Sequence, residues 1–164
     1  MNAIRKYNCY FFLLETLSIL ALIYAIFPLF HLREIPNDKL IPIHFDFLGN
    51  PNEWRDNTYL IIYPLLSLLF YLLFFIAEFN YKRLNYPIKI TQTNREKAYR
   101  NSVVLIRHLK FLVVLLIGYL GNTAFYIAIG SLKKGNTIIT LSLLLGILLF
   151  IILFFIKMLK LRNQ

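Results

Sequence analysis

At 164 residues the chain has room for one domain, and it is 59% hydrophobic and only 16% charged, where soluble domains run nearer a quarter charged. Its net charge of +10 raises nucleic acid as a partner, but the Lys and Arg residues stand in short clusters between apolar runs, with no basic face or aromatic stacking platform, so no nucleic acid is expected. The single Cys9 excludes an internal disulfide and a cysteine-based zinc site, and because it precedes the first apolar run it is not placed as a lipoprotein cysteine.

Four stretches, at about residues 10–30, 59–79, 111–129 and 138–156, reach the roughly 20 apolar residues that cross a 30 Å hydrocarbon core. Lipid offers no partners to backbone N–H and C=O groups, so each is expected to be helical. The expected fold is therefore an all-α membrane protein, a single four-span domain over residues 1–164. It would be an antiparallel four-helix bundle with a small extended cap outside.

The first run follows Arg5 and Lys6 as a signal peptide would. It is long, however, and ends in Phe27-Pro28-Leu29-Phe30 where cleavage needs small residues, so it reads as an uncleaved anchor. Within it Glu15 is costly unless neutralised or paired. Helical rise places it about 8 Å past the inner edge, on the side where Glu78 ends the second run, so the two carboxylates are expected to approach one another. Glu78 has Lys82 at i+4 as a simple partner. Glu15 has no cation at i±4, which leaves pairing across helices, a structural role, or proton and ion handling.

The outer loop, residues 31–58, is the most patterned segment. Ile41, Ile43, Phe45 and Phe47 alternate with Pro42, His44 and Asp46, the period of an extended segment with one buried face. Gly49-Asn50-Pro51-Asn52 supplies turn chemistry, and Trp54, shortly before the next run, suits the interfacial aromatic belt. The loop is expected to fold down onto the helix ends. His44 and Asp46 share a face that His31 and Glu53 could join. The spacing matches no metalloprotease signature, so no metal is expected. Either the pair braces the loop, or His44, Asp46, Gly49, Glu53 and Trp54 form a partner-binding surface.

In the inner loop, residues 80–110, Pro87 breaks the chain and Thr93-Asn94-Arg95-Glu96 fits a capping box. The basic helix it opens, residues 94–110, is expected to join the third run, to lie partly at the headgroups and to attract anionic lipid. In the third run Asn122 lies near mid-membrane on one arc with Gly121, Ala124 and Ala128, a stripe suited to close helix packing. Pro28 and Pro64 sit near span ends, where a break costs least. The short second outer loop, residues 130–137, is a polar turn.

Orientation follows from the basic residues. With the N-terminus inside, Arg5, Lys6, eight residues from Lys82 to Lys110, Lys157, Lys160 and Arg162 make thirteen inside, against Arg33, Lys39, Arg55, Lys133 and Lys134 outside. Both termini are thus expected in the cytoplasm.

Residues 35–54, IPNDKLIPIHFDFLGNPNEW, resemble the signature of a bacterial membrane domain of unknown function that also forms the N-terminal part of SdpI-type immunity proteins. Ile41-Pro42, His44, Gly49 and Trp54 carry the resemblance, and Asn94-Arg95-Glu96 with Tyr99 resembles the start of the family's third span. The similarity covers about residues 35–110. It implies a multi-pass protein of the bacterial cytoplasmic membrane that protects against a secreted peptide toxin. After the third run only one more span is expected, without the further multi-span C-terminal domain of that family.

Three functions follow as expectations. The first is an SdpI-like binding protein that recognises a peptide toxin, an envelope-stress agent or a membrane partner protein through the outer loop. The second is a small proton- or ion-handling transporter with Glu15, Ser18 and Asn122 along a polar path, for which a homo-oligomer would supply more lining. The third is an accessory subunit of a membrane transporter complex. No Ser-His-Asp order, phosphate loop or nucleotide motif is present, so neither catalysis nor a cofactor is expected.

Overall fold

The computed structural model describes residues 2–36 and 38–162, with side chains from Cys9 onward. Arg5 and Lys6, counted above for orientation, lie outside the described side chains. Among the described residues four helices are long and apolar enough to cross a membrane: α1 (Asn2–Phe30), α2 (Ile62–Phe79), α3 (Arg95–Ala128) and α4 (Thr137–Leu161). A two-stranded antiparallel hairpin, β1 (Leu40–Phe45) and β2 (Pro51–Asp56), stands between α1 and α2.

The long helix α3 lies at the centre. It packs against α1, α2 and α4, and α4 rests chiefly on α3. Side-chain pairs set the directions. Tyr10 meets His108 and Ala25 meets Gly118, so α1 runs parallel to α3. Tyr63 meets Gly121 and Tyr71 approaches Lys110, so α2 runs antiparallel to it. His108 stacks on Phe150 at 3.8 Å and Ala98 packs with Met158 and Leu161, which makes α4 antiparallel as well. Apart from Met158 and Leu161 near its end, no residue of α4 is buried.

Local chemistry sets the ends. Pro64 falls in the first turn of α2, where its missing N–H costs nothing. Gly130, at φ +80°, ends α3 in the left-handed conformation, and the Ser131 N–H returns to the Tyr126 carbonyl at 2.9 Å. Asn136 caps α4, accepting from the Ile138 and Ile139 N–H groups. The Tyr119 hydroxyl accepts from the Asn136 N–H at 2.8 Å, so α3 holds the start of α4.

Two apolar clusters seat the rest. Ile35, Ile41, Leu60 and Tyr63 pack on Ala124, Phe125 and Ala128, which fixes the hairpin to the end of α3. At the other end Ile88, Ala98, Met158 and Leu161 bind the loop before α3 to the end of α4. The basic segment expected to be a helix joined to the third run is the first part of one 34-residue helix, about 51 Å long at 1.5 Å per residue.

Candidate functional site

Two polar constellations stand out, one in the hairpin and one between the helices at the opposite end. In the hairpin the strict alternation is broken. The register pairs Pro42 with Trp54, His44 with Glu53 and Phe45 with Pro51, leaving Ile43 as an extra residue in β1 and Asn52 in β2. The bulges turn Ile41 and Pro42 inward together, while Ile43 and Phe45 are half-buried. Phe47, expected on the buried face, is 94% exposed. Asp46 already begins the turn: the Asp46 N–H donates to the Asn50 carbonyl, and the Gly49 N–H to the Asp46 carbonyl.

Asp46 and His44 both brace this turn. The Asp46 carboxylate accepts from the Leu48 N–H and Asn50 N–H at 2.8 Å and from the Asn50 amide at 2.9 Å. These bonds, the Asn50 side chain first, hold its pKa below the ordinary carboxylate value. The sign follows: its support for the turn is present above the usual carboxylate range and is lost as pH falls through the depressed folded-state value. His44 Nδ1 lies 2.6 Å from Asn52 Oδ1, and since an amide oxygen only accepts, the proton sits on Nδ1. His31 and Glu53 do not join this pair. His31 bonds Glu34 at 2.6 Å and lies tilted against the Phe27 ring at 4.5 Å, and Glu53 pairs with Arg55 at 2.8 Å. Among the described residues no three His, Cys, Asp or Glu side chains are grouped so as to hold a metal.

The hairpin is fixed at several points. The Tyr63 hydroxyl donates to the Pro42 carbonyl at 3.2 Å. Gly49, at φ +78°, accepts the Gly135 N–H at 2.8 Å, and a Cβ there would collide with the Gly135 carbonyl. Left uncovered are Phe47, Leu48 at 66% exposure and Trp54 at 41%.

At the opposite end Glu15 and Glu78 do approach, through cations that sequence reasoning assigned to the inner loop. Lys110, with no side-chain exposure, pairs with Glu15 and lies 3.3 Å from Glu78. Arg107 pairs with Glu78, in place of the Lys82 expected for it, and donates to the Phe11 carbonyl at 2.8 Å. The Tyr71 hydroxyl donates to Glu15 at 2.6 Å. Two carboxylates and two cations from α1, α2 and α3 thus form a closed, formally neutral network. Tyr71 and Glu78, seven residues apart, share one face of α2, which is the sequence signal for where the partners stand.

Asn122 belongs to neither constellation. It sits twelve residues from Lys110 on α3, about 18 Å along the axis, and its amide donates to the Tyr24 carbonyl at 2.8 Å and the Gly118 carbonyl at 2.9 Å. It borders an apolar cleft of about 420 Å³ between α1 and α3 that includes Leu20, Tyr24, Phe27 and Tyr126. The Ser18 hydroxyl is buried and donates to the Leu14 carbonyl of its own helix, so Glu15, Ser18 and Asn122 are not gathered into one site.

No family model, curated protein or solved structure matches the chain.

Proposed function

We propose that the chain is a multi-pass protein of the bacterial cytoplasmic membrane, both termini inside, whose outer hairpin binds an apolar or amphipathic peptide segment. The observation that carries this is a turn held rigid from within and anchored to two helices, yet presenting Phe47 and Leu48 uncovered. A rigid apolar tip loses little entropy on binding and buries apolar area when it meets a partner. His44 and Asp46, spent on bracing, act as positioning residues for the tip, and Trp54 extends the apolar surface. The resemblance of this segment to SdpI-type immunity proteins supports a peptide as ligand and protection as the outcome. Transport is less well supported, because Glu15 is held in a closed neutral network and Asn122 stands a dozen residues away along α3.

The test is a photo-crosslinking residue at position 47, with one at the exposed Ile61 as control, in intact cells. A protein or peptide adduct specific to position 47 is expected. If position 47 captures only lipid, as position 61 should, the tip is a membrane anchor and the binding reading fails.

A further inference from the structure

We infer that the end of the molecule opposite the hairpin carries a docking surface for an acidic segment of a cytoplasmic protein, formed by Lys89, Arg95, Lys160 and Arg162. Its cytoplasmic location rests on the orientation proposed above. All four side chains are exposed, and one buried residue gathers their backbone. The Asn94 amide donates to the Lys89 carbonyl at 3.1 Å and the Leu161 carbonyl at 3.4 Å, and its oxygen accepts the Thr91 N–H at 2.9 Å. The loop before α3, the first turn of α3 and the last turn of α4 are thereby tied together. Beneath them Ile88, Ala98, Met158 and Leu161 form a small core, so the cations are held in fixed relation. From residue 80 onward Glu96 is the single acid in the chain.

Depth argues against lipid headgroups as the occupant. Arg95 lies twelve residues before Arg107 on α3, about 18 Å beyond the level where Glu78 ends α2. Lys160 lies ten residues beyond Phe150, which stacks on His108, so α4 reaches about 15 Å past the same region. A headgroup layer adds only about 5–8 Å per side to the hydrocarbon core. Lys82 and Arg83, a few residues after α2, are within that reach; Arg95, with Lys89 tied to it through Asn94, stands beyond it, while Lys160, about 6 Å past the apolar run that ends near residue 156, lies at its outer margin. Nucleic acid fits less well than protein. The nearby rings of Tyr81, Tyr86 and Tyr99 are half-buried and pack on one another at 5.4 and 5.6 Å, leaving bases no platform to stack on.

The experiment uses the full chain in nanodiscs of zwitterionic lipid, with a fluorescent oligoglutamate peptide and a single-stranded oligonucleotide as probes at low salt. Peptide binding is expected to fall about tenfold in Lys160→Glu/Arg162→Glu and to change far less in Lys82→Glu/Arg83→Glu, which alters net charge equally. Lys89→Gln/Arg95→Gln should weaken it by an intermediate factor, and serves if the reversal variant fails to fold. Absent peptide binding, equal losses in the tip and Lys82/Arg83 variants, or tighter binding of the oligonucleotide would overturn the inference. Orientation is read separately by an impermeant maleimide on Lys160→Cys in a Cys9→Ser background. Labelling in intact cells would refute the orientation and the cytoplasmic partner together, whereas lost tip selectivity refutes only the partner.

Discussion

Lys110 is the residue on which most depends. Its side chain has no exposure, and its ammonium is shared between Glu15 on α1 and Glu78 on α2. Removing one member of such a network leaves the others charged in a poor solvent, at a cost of about 3–5 kcal/mol. Lys110→Ala should therefore lower the melting temperature in detergent sharply, or prevent accumulation. Adding Glu15→Gln to it should restore part of the loss, because one of the stranded charges is then gone. If Lys110→Ala melts like the parent, the network is incidental to stability. Arg107 is a partner of a different kind, since it also bonds a backbone carbonyl and lies over the Phe11 ring at 4.5 Å. Arg107→Lys would keep the charge but lose that planar contact.

At the scale of elements, the hairpin is the part that exact chemistry controls. Gly49 has a positive φ and touches the α3–α4 turn through Gly135. Gly49→Ala should accordingly loosen the hairpin while leaving the helices folded. Proteolysis at the turn should speed up, with little change in helical circular dichroism; unchanged proteolysis would mean the Gly49–Gly135 contact does not hold the turn. The long apolar helices were legible in the sequence, because crossing lipid would impose a length and a composition that few other structures need: the expected 59–79 lies within Asn57–Phe79, and 138–156 within Thr137–Leu161. The extended outer segment was legible from its alternation. Its two bulges were not, since they arise from pairing between strands, and Phe47 was misplaced because Asp46 starts the turn three residues before Gly49. The network around Glu15 was half legible. A carboxylate within an apolar run announces a partner, but Lys110 lies 95 positions away and could be named only once the relative depth of the helices was known.

For the whole molecule the decisive question is which end faces the cytoplasm, and charge gives the two ends different characters. The hairpin end holds Arg33, Lys39, Arg55, Lys133 and Lys134, offset by five acids between His31 and Thr58. The other end holds the cations from Lys82 to Lys110 together with Lys157, Lys160 and Arg162, and of its three acids Glu15 and Glu78 are consumed in the neutral network. Positive loops are retained in the cytoplasm during insertion, and short loops near span ends weigh most. The network sharpens this asymmetry, since it sits where α1 and α2 approach that end and can form only when α2 runs antiparallel to α1 and α3. Reporter fusions after Lys82 and after Gln164 should both report cytoplasm, and a fusion at Asn50 should report the outside. The Asn50 fusion is the most exacting of the three. It lies in the turn that the proposed peptide must reach, so a cytoplasmic signal there would remove the hairpin from the envelope and end the peptide-binding reading along with the orientation.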